Sequence, residues 1–142
     1  MPDTRRSPSP QLGARVFQRV LDAYIAAVRT KDIGAFLSIY ADDVCVFDAW
    51  GTWSIRGADS WRRMVSEWFL SLGTDEVVVS VADVQATAVR GLAIGHAIVT
   101  YAAISSDGVS LRSIDNRLTV AVRKVGRDWK IFHEHTSMPM NL

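Results

Sequence analysis

The sequence predicts an α+β fold: three helices at the start, then a curved antiparallel sheet that wraps them into a cone-shaped barrel with an internal pocket. Three observations predict it. Apolar residues recur at helical spacing in three segments before residue 73. Everything from Glu76 onward alternates and is rich in β-branched residues. The turn signals Arg90-Gly91, Ser106-Asp107-Gly108 and Gly126-Arg127-Asp128 cut that region into long strands. Helices segregated from a meandering sheet define α+β rather than a parallel βαβ fold.

The elements follow in order. Residues 1–12 hold three prolines and two serines and read as a flexible tail. From Gly13 to Thr30, Phe17, Val20, Leu21, Tyr24 and Val28 form an apolar stripe, so this is an amphipathic helix. Asp32 is placed to cap a second helix, Ile33 to Tyr40, which Asp42 and Asp43 end. Val44 to Trp50 reads as a strand with Val44, Val46, Asp48 and Trp50 on one side. Cys45 shares the other side with Phe47, which suits a buried structural thiol. Trp53-Ser-Ile-Arg-Gly57 reads as a turn and a short returning strand. Asp59 or Ser60 is placed to cap a third helix that ends near Leu72, with Trp61, Met64, Val65, Trp68 and Phe69 as its apolar side. The strands are Val77–Val89, Leu92–Ser105, Val109–Val125 and Trp129–Ser137. Residues 13–142 make one domain, with no repeat and no internal linker.

Composition excludes several functions. The net charge of +1 gives no electrostatic case for nucleic acid or an anionic membrane. One cysteine permits neither an intrachain disulfide nor a cysteine zinc cage. No apolar run approaches the roughly 20 residues of a membrane helix. The first residues lack a secretory signal's apolar core, so a cytoplasmic protein is expected. There is no glycine-rich phosphate loop, Gly-x-Ser-x-Gly or zinc-protease motif, and no cofactor or metal is expected.

What remains is a set of polar residues on apolar elements. Asp48 is a carboxylate in the middle of an apolar strand. Tyr24 lies on the inward stripe of the first helix, where a buried hydroxyl needs a partner. On the long strand Asp115, Arg117 and Thr119 share one face, and Asn116, Leu118 and Val120 the other. On the last strand His133, His135 and Ser137 fall together, opposite Glu134. The histidine pair supplies half of a metal site or, more simply, proton carriers and pocket walls. Four of the five tryptophans lie between residues 50 and 68. They suit either an aromatic core or the wall of a pocket for an apolar ligand.

Two stretches carry a family resemblance: Tyr24 to Asp32, followed by Tyr40-Ala-Asp-Asp-Val-Cys-Val-Phe-Asp48, and Trp129-Lys-Ile-Phe-His-Glu-His-Thr-Ser-Met-Pro139. Together with Arg56-Gly-Ala-Asp-Ser-Trp61, they resemble the ketosteroid isomerase-like and SnoaL-like families of the nuclear-transport-factor-2-like superfamily. The resemblance implies Asp48 as general base, Tyr24 as a donor of the oxyanion hole and Asp115 as a second, protonated donor. That set suits removal of a proton α to a carbonyl and stabilisation of the resulting enolate. His133 would be a second proton carrier, Trp50 and Trp68 pocket walls, and Arg117 and His135 groups that orient polar parts of the substrate.

The expected function is therefore cofactor-independent acid–base chemistry on a small, apolar, oxygenated ketone: isomerisation, aldol-type cyclisation or dehydration. The alternatives are a non-catalytic ligand-binding or oligomerisation domain, or an epoxide hydrolase built on Asp115 and Arg117. Leu118, Val120 and Val122 read as an apolar outer sheet face, which predicts a homodimer through the sheet.

Overall fold

The computed structural model describes residues 7–142. Helix α1 (Pro10–Thr30) begins where Ser9 Oγ accepts the Leu12 amide and Pro10 presets the first turn. Ser9 also bridges to Ala88, so Pro10 to Leu12, expected in the tail, are helical. The first six residues of that expected tail lie outside the described residues. The helix stops at Lys31, whose left-handed backbone (φ 54°) breaks the ladder. Helix α2 is Ile33–Leu37, capped by Asp32 as expected. It is shorter than its spacing suggested, because strand β1 (Tyr40–Phe47) already begins at Tyr40 and takes in Asp42 and Asp43. β2 is only Ile55–Arg56. Helix α3 (Ala58–Ser71) starts at Gly57, whose φ of 86° suits glycine, with no side-chain cap from Asp59 or Ser60.

The remaining strands are β3 (Glu76–Val89), β4 (Leu92–Ile104), β5 (Ser110–Val125) and β6 (Asp128–Ser137). The sheet runs β2-β1-β6-β5-β4-β3. It is strongly curved and does not close, so β2 and β3 remain its edges. β3 to β6 form the expected antiparallel meander. β1 lies parallel to β6, a pairing that strand alternation does not reveal. α1 packs across β3 and β4, and α3 against β1.

Packing is tight at two glycines. A Cβ at Gly13 would stand 2.5 Å from the Thr87 backbone, and one at Gly95 would stand 2.6 Å from the Phe17 ring. The helix can therefore sit directly on the sheet.

The inward face of β5 carries Asn116, Leu118, Val120 and Val122, all buried. Leu118, Val120 and Val122 therefore cover the helices instead of forming the outer face from which a dimer was expected. That outer face carries Asp115, Arg117 and Thr119, with Leu111 and Val125 exposed at its ends. Cys45 and Phe47 also lie on the outer side and are partly exposed rather than core. On β6 a register shift opposite Ala121 and Val122 leaves Phe132 as an extra residue. Ile131, Glu134 and Thr136 are consequently all buried, although strict alternation would separate the first from the other two.

Candidate active site

The helices and the concave side of the sheet enclose a cavity of about 600 Å³. Its apolar lining includes Phe36, Trp61, Met64, Val65, Trp68, Leu72, Val77 and Ile114. That volume lies in the range of small-molecule sites. The polar groups inside come from α1, α3, the residue after β1, and strands β4, β5 and β6.

Asp48 lies one residue beyond the end of β1 and is partly buried. Its Oδ1 accepts the Thr136 hydroxyl at 3.0 Å, and Thr136 Oγ1 in turn accepts the Ala49 amide at 2.9 Å. Burial raises the Asp48 pKa. The Thr136 hydrogen bond and the Ala49 and Trp50 backbone pull it back down.

Glu134 is 5% exposed and also lines the cavity. Tyr40 Oη donates to its Oε1 at 2.7 Å. Burial raises its pKa to about 7, opposed by the Tyr40 bond and assisted by the charge of Asp48. The two carboxyls thus occupy unlike environments: Asp48, better solvated, ionises first, and Glu134 keeps its proton longer.

Tyr24 and Tyr101 meet with their hydroxyls 2.9 Å apart, both on the cavity wall. Burial raises both phenols, so both are neutral donors at ordinary pH. In a phenol pair one proton is committed to the mutual bond and the other remains free to donate. Asn116 is 3% exposed, and its Oδ1 has no hydrogen-bond partner among the described residues.

The structure brings Asp48, Tyr24, Trp50 and Trp68 to this cavity, Trp50 at its exposed margin. It does not bring Asp115, Arg117, His133 or His135 there. Asp115 is on the outer face of β5, where Thr100 Oγ1 donates to it at 2.7 Å. Arg117, two residues on, donates to Ser137 Oγ at 3.1 Å. His133 packs on Phe47 with its Nδ1 2.9 Å from the Cys45 carbonyl. His135 is exposed beside a shallow hollow lined by Phe47, Thr52 and Trp53. Alternation grouped these residues correctly; the roles that the resemblance implied set their group on the wrong side of the sheet.

The residues that replace them are Glu134, Thr136, Asn116 and Tyr101. For three of the four a signal existed. Asn116 shares its face with Leu118, Val120 and Val122, an apolar stripe that marks the core side. Glu134 and Thr136 alternate against two histidines, and a lone glutamate between them is easily read as solvent-facing. Tyr101, flanked by threonine and alanine, carries no signal beyond being aromatic.

A strongly bent open sheet with three helices across its concave side is the NTF2-like class of fold. The chain belongs to the SnoaL-like domain family, whose model matches residues 18–141. No curated protein matches it. Among solved structures it is similar to an NTF2-like protein of unknown function from Pseudomonas putida KT2440. That protein has 24% identity and a TM-score of 0.81, over 96% of this chain and 92% of that one. Aln2 from a Streptomyces species is similar at 13% identity and a TM-score of 0.80, over 91% of each chain. A protein from Streptomyces avermitilis, provisionally described as a dehydratase of the NTF2-like family, shares 12% identity with a TM-score of 0.75, over 94% of this chain and 100% of that one. Identities this low establish the fold and leave the chemistry to the site.

Proposed function

We propose that this protein is a cofactor-independent enzyme that performs acid–base chemistry on a small, largely apolar, ketone-containing molecule. Asp48 takes a proton from the carbon next to the carbonyl. The free proton of the Tyr24–Tyr101 pair meets the oxygen as it gains charge. Glu134, protonated up to about neutral pH, returns a proton to the substrate. Isomerisation, aldol-type cyclisation and dehydration all begin with that enolate. The description of the Streptomyces avermitilis relative as a dehydratase is consistent with this group of reactions.

One observation supports the reading most: an ionising carboxylate, a proton-bearing carboxyl and a phenol pair with a spare proton line a single apolar cavity. The experiment is turnover of β,γ-unsaturated ketones and polyketide-like compounds by the wild type and by Asp48→Asn. Turnover that Asp48→Asn abolishes while ligand binding persists supports catalysis.

The second reading is a non-catalytic binding domain. What favours it is that Glu134 and Tyr40, and Tyr24 and Tyr101, already satisfy one another. A wild type that binds members of that panel and converts none would decide for it. Epoxide hydrolysis loses its basis, because Asp115 and Arg117 lie outside the cavity.

A further inference from the structure

The charged lining of the cavity is unevenly distributed. Its acids are Asp48, Glu67 and Glu134, and among the described residues its one basic side chain is Arg112. Arg112 stands on the inward face of β5, in line with Ile114, Asn116 and Leu118. The register places Arg112 beside Ala103, Ile114 beside Tyr101 and Asn116 beside Val99. Leu118 then pairs with Thr136, the residue that holds Asp48. Arg112 is exposed, whereas Asn116 and Leu118 are buried, so this row runs from rim to depth. At about 3.3 Å per residue, Arg112 and Asn116 are separated by about 13 Å of strand. Among the described residues no carboxylate forms an ion pair with the Arg112 guanidinium.

We infer that the molecule this cavity takes carries a carboxylate at its rim end, held by Arg112, and its reacting carbonyl further in, at the Tyr24–Tyr101 pair beside Ile114. The inference rests on the acid–base reading above and narrows its substrate to ketones that also bear a carboxylic acid. Charge decides the orientation. A carboxylate pushed to the depth would meet Asp48 and Glu134 with no cation to offset them. At the rim it meets a planar fork of donors that matches its own geometry. Glu67 also lines the cavity, so a doubly charged phosphate would face repulsion with one guanidinium to oppose it. A singly charged carboxylate asks for only the one cation present. Arg112 is thus a specificity residue, remote from the bonds that change.

The test compares two ligands of nearly equal shape, 2-naphthoate and the neutral 2-acetonaphthone, by calorimetric titration of the full chain. The wild type should bind 2-naphthoate about fivefold more tightly, the size expected of a rim ion pair worth about 1 kcal/mol. Arg112→Gln should remove that preference and leave 2-acetonaphthone affinity within about twofold. Arg127→Gln, on the distant β5–β6 turn, should keep it. Equal binding of the two ligands by the wild type overturns the carboxylate clamp and leaves the acid–base reading standing. So does a preference that survives Arg112→Gln or disappears in Arg127→Gln. Failure of both ligands to bind overturns the clamp together with the cavity reading. If the preference behaves as expected but no ketone is ever converted, the clamp holds and catalysis falls.

Discussion

Tyr40 Oη donates to Glu134 Oε1 at 2.7 Å, joining the first residue of β1 to the middle of β6 inside the core. The bond supplies one partner to a carboxyl that has lost its water, and burial still wins, raising the pKa from 4.5 to about 7. Between those values the folded protein holds a proton that the unfolded chain has released. Stability contributed by this group is complete below about pH 4.5 and falls as pH rises towards 7. A shift of that size corresponds to about 3 kcal/mol. Glu134→Gln keeps an acceptor for Tyr40 and cannot ionise. Its stability relative to wild type should therefore climb between pH 4.5 and 7 and then level off. Thermal melts that stay parallel across that range would contradict it.

Thr136 controls the other carboxyl. Its hydroxyl donates to Asp48 and accepts the Ala49 amide, so Thr136→Val removes a bond that favours the ionised acid. The acidic limb of kcat/KM should move to higher pH by up to about one unit, while Thr136→Ser restores it. A limb unchanged in the valine variant would remove Asp48 from the role of base.

The phenol pair makes a non-additive prediction. Tyr24→Phe and Tyr101→Phe each leave one hydroxyl, relieved of its partner and able to donate. Either single variant should keep turnover within about threefold. The double variant should lose about 10²- to 10³-fold, the cost of an absent oxyanion donor. Two single losses that multiply to the double loss would mean that the hydroxyls act separately.

Gly13 and Gly34 offer a stability comparison inside helices. Alanine at Gly13 would press its Cβ into the Thr87 backbone, which has no side-chain freedom to yield. Alanine at Gly34 would find only the Asp32 carboxylate, 3.5 Å away. Gly13→Ala should cost about 1–3 kcal/mol and lower Tm by several degrees. Gly34→Ala should be neutral or gain up to about 1 kcal/mol of helix propensity. Equal melting temperatures would show that α1 does not press on β3.

The helices and the meander were legible because each depends on local periodicity and turn chemistry, whereas Asp48, expected in the middle of a strand, lies just past the end of β1. Which side of β5 faces inward was not settled by grouping alone. Alternation sorts residues into two sets without naming the inward one, and the role that the resemblance implied for Asp115 set its face inward. The apolar run Leu118, Val120 and Val122 was the better guide, since burial of a whole stripe outweighs one attractive pair. The β6 pattern was harder, because the extra residue at Phe132 breaks the period. The parallel pairing of β1 with β6 lies beyond local reading altogether. It joins segments nearly ninety residues apart in sequence.

That pairing has a consequence for how the protein comes into being. Asp48 is made well before Thr136 and Glu134, which belong to β6, so a nascent chain carries half a site until β6 has been made. The helices can form as they emerge, but the cavity's acids cannot find their partners until β6 arrives and slots between β1 and β5. Folding dominated by such distant contacts is slow relative to helix formation. The strand that completes the candidate site is also the one that seals the core. Until then the apolar side of the sheet that β6 covers stays open to water.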